Sequence, residues 1–133
     1  MAATIPENFQ DLLTSTIAFA HLGTVMKNGT PQVTPVWFSY DGQHIVLNSA
    51  KGRVKDRNMR ARPHVALSIL DPDNAYRYIQ IIGEITEITE QGGDAHIDAL
   101  TKKYLGQDTY PFRQPGEVRV IYKVTPSKVQ AMG

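Results

Sequence analysis

Apolar residues recur with a period of two over much of this chain, and short breaks rich in glycine, asparagine and aspartate separate the alternating runs. A period of two places alternate side chains on opposite faces of a strand, so the pattern predicts β-structure joined by tight turns. Ile17 to Met26 is the first such run, and Asn28-Gly29 after it suits the positive φ angles of a hairpin turn. Gln32 to Tyr40 reads as the returning strand, and Asp41-Gly42 turns the chain into a third, His44 to Ser49. Pro35 lies inside the second strand; having no N–H to give a ladder, it marks an edge or a bulge there.

Val65 to Leu70 resumes extended structure, followed by the loop Asp71-Pro72-Asp73-Asn74 and a long isoleucine-rich strand, Tyr76 to Thr89. Ile79, Ile81 and Ile85 share one face of it, Tyr76, Tyr78 and Gln80 the other, and Gly83 marks a bend. In the last strand, Glu117 to Thr125, Val118, Val120, Tyr122 and Val124 alternate with Arg119 and Lys123. Helical spacing appears in three places: a short segment from Pro6 to Leu13, residues 52–61 closed by Pro63, and Asp94 to Leu105, where Ile97, Leu100, Tyr104 and Leu105 form a stripe. Six strands with flanking helices predict a mainly β protein, an antiparallel barrel closed or nearly closed so that few edges are exposed.

Length and composition narrow this further. A chain of 133 residues, 41% hydrophobic and 20% charged, is expected to form one domain spanning residues 1–133 with its own core. It has no cysteine, which removes disulfides, thiolate nucleophiles, iron–sulfur clusters and sulfur-ligated zinc. His21, His44, His64 and His96 have no metal-ligand spacing, so no metal is expected. With neither a signal-peptide pattern nor a long apolar run, a cytoplasmic location without a membrane span is expected.

The net charge is only +1, but it is unevenly placed. Lys51, Arg53, Lys55, Arg57, Arg60 and Arg62 lie within twelve residues that contain a single acid, Asp56, and the rest of the chain is mildly acidic. A local cationic site on an acidic body fits a compact anion better than a nucleic acid, which is not expected as a partner. On a helix beginning near Gly52, Ala50, Val54 and Ala61 face the protein and the cations crowd the other side. A phosphate near the helix start would meet free N–H groups, the positive end of the dipole and the side chains of Lys51, Arg53 and Lys55. Asn48 and Ser49 add polar groups at the end of the preceding strand, and Gly52 allows close approach of the main chain. Trp37, Tyr76 and Tyr78 are the aromatic residues that could stack on a planar ring.

The stretches HLGTVMKNGTPQVTPVWFSYDG, NSAKGRVKDRNMRARPHVALSI, YRYIQIIGEI, HIDALTKKYLGQDTYP and GEVRVIYKVTPSKV together resemble the pyridoxamine 5′-phosphate oxidase-like split-barrel proteins, particularly their deazaflavin-dependent reductases. The resemblance covers nearly the whole chain. It implies a homodimeric six-stranded split β-barrel with a cofactor site at each subunit interface. It further implies that Asn48, Ser49, Lys51, Arg53, Lys55 and Asn58, with the small residues Ala50 and Gly52, hold the phosphate and ribityl groups. Thr34, Pro35, Val36 and Trp37 would line the ring with backbone groups, and Arg57 and Arg60 would meet the acidic tail of a deazaflavin. Tyr76, Tyr78 and Gln80, or the loop near Tyr110 and Arg113, would reach a cofactor bound mainly by the other subunit.

The activity so implied is reduction by coenzyme F420 of a conjugated, electron-poor acceptor such as a quinone, bilin or unsaturated lactone, with Tyr78 or solvent as proton source. An FMN-dependent oxidoreductase and a flavin or F420 carrier without turnover are the alternatives. The chain lacks the longer carboxy-terminal region by which true pyridoxamine phosphate oxidases hold their substrate, which argues against vitamin B6 oxidation.

Overall fold

The computed structural model describes residues 2–133. Seven antiparallel strands are present: β1 (Ala20–Val25), β2 (Pro31–Val36), β3 (Phe38–Tyr40), β4 (Ile45–Ala50), β5 (His64–Asp71), β6 (Asn74–Thr89) and β7 (Arg119–Met132). The helices are α1 (Gln10–Leu13), preceded by a 3₁₀ turn at Glu7–Phe9, α2 (Val54–Ala61) and α3 (Gly93–Leu105). All strands belong to one sheet in the order β2-β1-β5-β6-β7-β4-β3.

The strand count corrects the expected six. Residues 32–40 are not one strand: Trp37 interrupts them, and the two halves go to opposite edges of the sheet. Adjacent strands lie about 4.8 Å apart, so the edges of a flat seven-stranded sheet would be separated by roughly 29 Å. Val36 and Phe38 are two residues apart, a reach of about 7 Å at most. The sheet therefore has to curl until its edges nearly meet. Since β2 and β3 do not pair, the result is a barrel with one open seam, a split barrel as expected.

Other boundaries shift for local reasons. β1 begins at Ala20 rather than Ile17, because an Ala18 N–H to Thr16 carbonyl bond turns the chain just before it. β7 runs on to Met132, beyond Pro126, by pairing with β6 through two register shifts. Pro126 lies opposite Gly83, where a Cβ would stand 2.6 Å from Val124 Cγ1 and 2.7 Å from the Thr125 carbonyl oxygen. The bend predicted at Gly83 is thus a site where the two strands touch backbone to backbone.

Inside the barrel, Leu22, Phe38, Leu47, Leu67, Ile69, Ile79, Ile81 and Tyr122 are almost wholly buried, with Leu12 and Leu13 of α1 closing one end. Arg77 pins that end by bonding both Asp11 and Asp71 and lying over the Phe9 ring. α2 packs through Asp56, Asn58 and Met59, whereas Ala61, expected to face the protein, is exposed. Asp56 accepts the Gly52 N–H at 2.9 Å, the Tyr122 hydroxyl at 2.5 Å and Arg60 Nε at 2.9 Å. Burial alone would raise its carboxyl, but these donors together hold it below the usual carboxylate range. No helix among the described residues is long and apolar enough to cross a membrane.

Gly83→Ala is expected to lower stability by about 1–3 kcal/mol, the usual range for overpacking, measured as a shift of the urea midpoint at constant slope. A midpoint equal to that of the unsubstituted protein would contradict the close approach described.

Candidate functional site

The crossing at Trp37 leaves a cleft of about 340 Å³ beside the seam, walled by Pro35, Val36, Trp37, Phe19, Tyr110 and Phe112, floored by Ile97 and Leu100, and edged by Asn48, Arg53, Lys55 and Arg119. One side is aromatic. Tyr104 of α3 lies between Phe19 and Trp37, with ring centroids at 5.6 and 5.2 Å and interplanar angles of 7° and 6°. Its hydroxyl donates to the Ala18 carbonyl at 2.6 Å, and burial pushes that hydroxyl up to about 12. This stack fixes the position of Trp37, and Tyr110 meets the indole edge-on at 6.2 Å.

The other side is cationic, and a chain of hydrogen bonds organises it. Asn48 Nδ2 donates to the Gly93 carbonyl at 3.0 Å and to His96 Nδ1 at 3.1 Å, while its Oδ1 accepts from Arg119 Nε at 2.9 Å. Arg119 Nε can only donate, so the amide orientation is fixed, and His96 Nδ1 must be an acceptor. Neutral His96 therefore carries its proton on Nε2 and donates it to Ser39 Oγ at 2.9 Å. Burial, and then the charge of Arg119, pull the His96 pKa down to about 4, which keeps the ring neutral at ordinary pH. Gly93 permits this junction, because a Cβ there would lie 2.3 Å from the Arg119 carbonyl oxygen.

Arg119 continues the chain to Glu117, Nη1 to Oε1 at 2.9 Å, and Arg53 Nη2 lies 3.8 Å from the other carboxylate oxygen. Lys55 is half-buried beside them and has no acidic partner among the described residues. Burial lowers its pKa, and the charges of Arg53 and Arg119 lower it further. Three cations thus lie together with one carboxylate, shared by only two of them, an arrangement in which a bound anion relieves both repulsion and desolvation.

The structure brings some predicted site residues together and separates others. Pro35, Val36, Trp37, Asn48, Arg53 and Lys55 line the cleft. Thr34 is half-buried in β2 and outside it. Ser49 points with Ile45 and Leu47 into the barrel, its Oγ buried without a partner. Ala50 is buried at the end of β4 and gives its carbonyl to the Arg53 N–H. Lys51 turns to Glu90 at 3.0 Å, and the Gly52 N–H is taken by Asp56. Asn58 is buried and donates to Thr24 Oγ1 at 3.0 Å, so it ties α2 to β1. Arg60 is bonded to Asp56, and Arg57 is exposed outside the cleft. Tyr76, Tyr78 and Gln80 lie on the outer face of β6 and do not reach the cleft of their own protomer.

Sequence reasoning missed Arg119 and His96. The alternation of β7 puts Arg119 on the outward face, but α3 covers that face, leaving its side chain 3% exposed. Tyr110, expected near the partner's cofactor, lies in the cleft of its own chain under the Arg119 guanidinium, 5.1 Å from ring centroid to Cζ.

The depressed pKa of His96 implies a pH dependence. Between about pH 6.5 and 4 the unfolded chain holds a proton on this ring that the folded one does not, so stability falls as pH falls through that window, by up to about 1.4 kcal/mol per unit. Urea midpoints from pH 7 to 4 are expected to decline less steeply in His96→Gln; identical slopes would show that the ring titrates normally in the native state.

A family model described as pyridoxamine 5′-phosphate oxidase matches residues 5–133. A solved F420 reductase is 35% identical with a TM-score of 0.83, over 95% of this chain and 98% of its own. A conserved hypothetical protein of Mycobacterium tuberculosis shares 22% identity and a TM-score of 0.76, over 98% of this chain and 86% of its own. A Listeria innocua protein described as a putative pyridoxamine 5′-phosphate oxidase shares 20% identity and a TM-score of 0.71, over 94% and 95%. The sequence matches no curated protein. A family match across nearly the full length, on the curled sheet that the family's structures share, establishes that this chain belongs to the pyridoxamine 5′-phosphate oxidase family of split barrels.

Proposed function

We propose that this protein is an oxidoreductase that binds coenzyme F420 in the cleft and uses its reduced form to transfer a hydride to a conjugated, electron-poor small molecule. The observation that carries the reading is Lys55, a half-buried ammonium without an acidic partner, set between Arg53 and Arg119 beside an aromatic wall. That combination suits a ligand with a phosphate at one end and a planar ring at the other. The F420 reductase that is 35% identical over 95% of the chain favours the deazaflavin over FMN, while the wider family keeps FMN as the second reading.

When bound, the reduced cofactor supplies the hydride, and the protein supplies position and surroundings. Arg53 and Lys55 hold the phosphate. Pro35, Val36 and Trp37 present backbone and indole to the ring, and the Phe19–Tyr104–Trp37 stack keeps that wall rigid. Phe19 and Phe112, 50% and 61% exposed, offer apolar surface to an acceptor at the mouth and help exclude water there. Quinones, bilins and unsaturated lactones are the acceptor classes to assay.

The proposal includes a homodimer. The outer face of β1, β2, β5 and β6 carries His21, Gly23, Val33, Ala66, Ser68, Tyr78 and Gln80 around a shallow depression with no charged residue in its lining. Val33 is 65% exposed there, a large apolar side chain on a face suited to a second copy. Pairing through this face would carry Tyr78 and Gln80 toward the partner subunit, the one arrangement in which Tyr78 could act as a proton donor.

Fluorescence and absorbance titrations with F420 and with FMN test the cofactor. Tight F420 binding without comparable FMN affinity is expected; the reverse would favour the second reading. Arg53→Ala and Lys55→Ala should each weaken binding by about 1.5–3 kcal/mol, the range for hydrogen bonds to charged groups, with little change in the urea midpoint. Unchanged affinity in both would reject the site. Light scattering should give twice the 14.8 kDa chain mass, and Ala66→Arg should give the chain mass alone; a monomeric unsubstituted protein would remove the dimer.

A further inference from the structure

We propose that Arg119 is the buried floor of the anion site, donating from its free Nη2 to a phosphate oxygen of the ligand, and that Asn48, oriented by His96, positions it for that contact. The inference rests on the reading of the cleft as a flavin-type site and adds to it residues on β4, α3 and β7, outside the basic stretch of α2.

Three observations meet at this residue. Its side chain is 3% exposed yet lines the cleft, so whatever part of it reaches solvent does so there. Its donors are divided unequally: Nε serves Asn48, Nη1 serves Glu117, and Nη2 has no partner among the described residues. Both N–H groups of Nη2 are thus unused by the protein, and since Nη2 is not among the fully buried atoms without a partner, they are open to the cleft, where an anion can accept from them. The guanidinium is also held from three directions, by Asn48, by Glu117 and by the Tyr110 ring beneath it, so little side-chain entropy is lost on binding.

Position makes the ligand group a phosphate rather than a ring oxygen. Glu117 bridges Arg119 to Arg53, Lys55 is near enough to feel both charges, and all three line the cleft near the start of α2. A single tetrahedral oxyanion can be reached by all three, with Arg53 and Lys55 at the mouth and Arg119 below. Asn48 is then a positioning residue. Its amide spends both N–H groups on Gly93 and His96 and gives Oδ1 to Arg119, which leaves no donor for the ligand itself. His96 acts one step further back, fixing the amide with a ring nitrogen that must stay unprotonated.

The test compares ligands with and without the phosphate: FMN and riboflavin differ by that group alone, and F420 and its riboside by the phosphate together with the acidic tail it carries. Dissociation constants for FMN and riboflavin, and for F420 and its phosphate-free deazaflavin riboside, are measured on the full chain and on Arg119→Lys, Arg119→Ala and His96→Gln. Arg119→Ala is expected to lose about 10- to 100-fold in affinity for the phosphorylated members and less than twofold for the others. Arg119→Lys should recover only part of that loss, since an ammonium lacks the guanidinium fork. His96→Gln should reduce the phosphate preference by a smaller factor at unchanged riboside affinity, a change in ratio that a merely structural role would not produce.

Equal losses for phosphorylated and phosphate-free ligands in every Arg119 variant would overturn the proposal while leaving the flavin reading intact. If the unsubstituted protein binds none of the four, the flavin reading fails and inorganic phosphate decides the inference. A rise in melting temperature with phosphate that shrinks in Arg119→Lys and is lost in Arg119→Ala would support it, and no rise in the unsubstituted protein would end it.

Discussion

A single residue, Trp37, joins the two edge strands of a seven-stranded sheet, and the rest of the molecule follows from that short connection. Strands that belong at opposite ends of the sheet are tethered within two residues, so the sheet has no choice but to curl, and its interior becomes the core. The tether also prevents complete closure, because β2 and β3 are separated by Trp37 alone, too short a connection to turn the chain back into an antiparallel pair. The seam that remains carries the cleft, and α3 is held across it by the stacking of Tyr104 between Phe19 and Trp37.

Electrostatics complete what topology begins. An apolar barrel wall would exclude a charged ligand, but here a run of hydrogen bonds from Ser39 through His96, Asn48 and Arg119 to Glu117 brings a fixed cation to its surface. Each member is satisfied except where the cleft begins, so the arrangement is prepared before any ligand arrives. Arg119 sits on β7, Lys55 on α2 and Arg53 at the N-cap of α2, which limits how far they can relax. Asp56 serves the same end from below α2, fastening the helix start to Tyr122 in the core and fixing the backbone from which Arg53 and Lys55 project.

Much of this was legible in the residues, and the exceptions share one cause. Hairpins at Asn28-Gly29 and Asp41-Gly42, the long β6 with its bend at Gly83, and the basic start of α2 are local signals, and the structure has all of them. The break at Trp37 was not legible, because residues 32–40 keep a strand-like pattern throughout and only the pairing of their neighbours separates them. Arg119 looked like an ordinary outward residue of an alternating strand; what buries it is a helix that arrives from elsewhere in the chain. Ser49 and Asn58 looked like ligands because polar residues beside cations usually are, yet strand parity turns the first inward and helix phase turns the second onto Thr24. Alternation and composition describe one element at a time, whereas these outcomes depend on which other element lies on top.

The most direct test of the account is a crystal structure of the protein grown with oxidised F420. Density for the tricyclic ring is expected against Trp37 and the Pro35–Trp37 backbone, with the phosphate between Arg53, Lys55 and Arg119. A ring bound elsewhere on the barrel, with these three side chains facing only solvent, would contradict it.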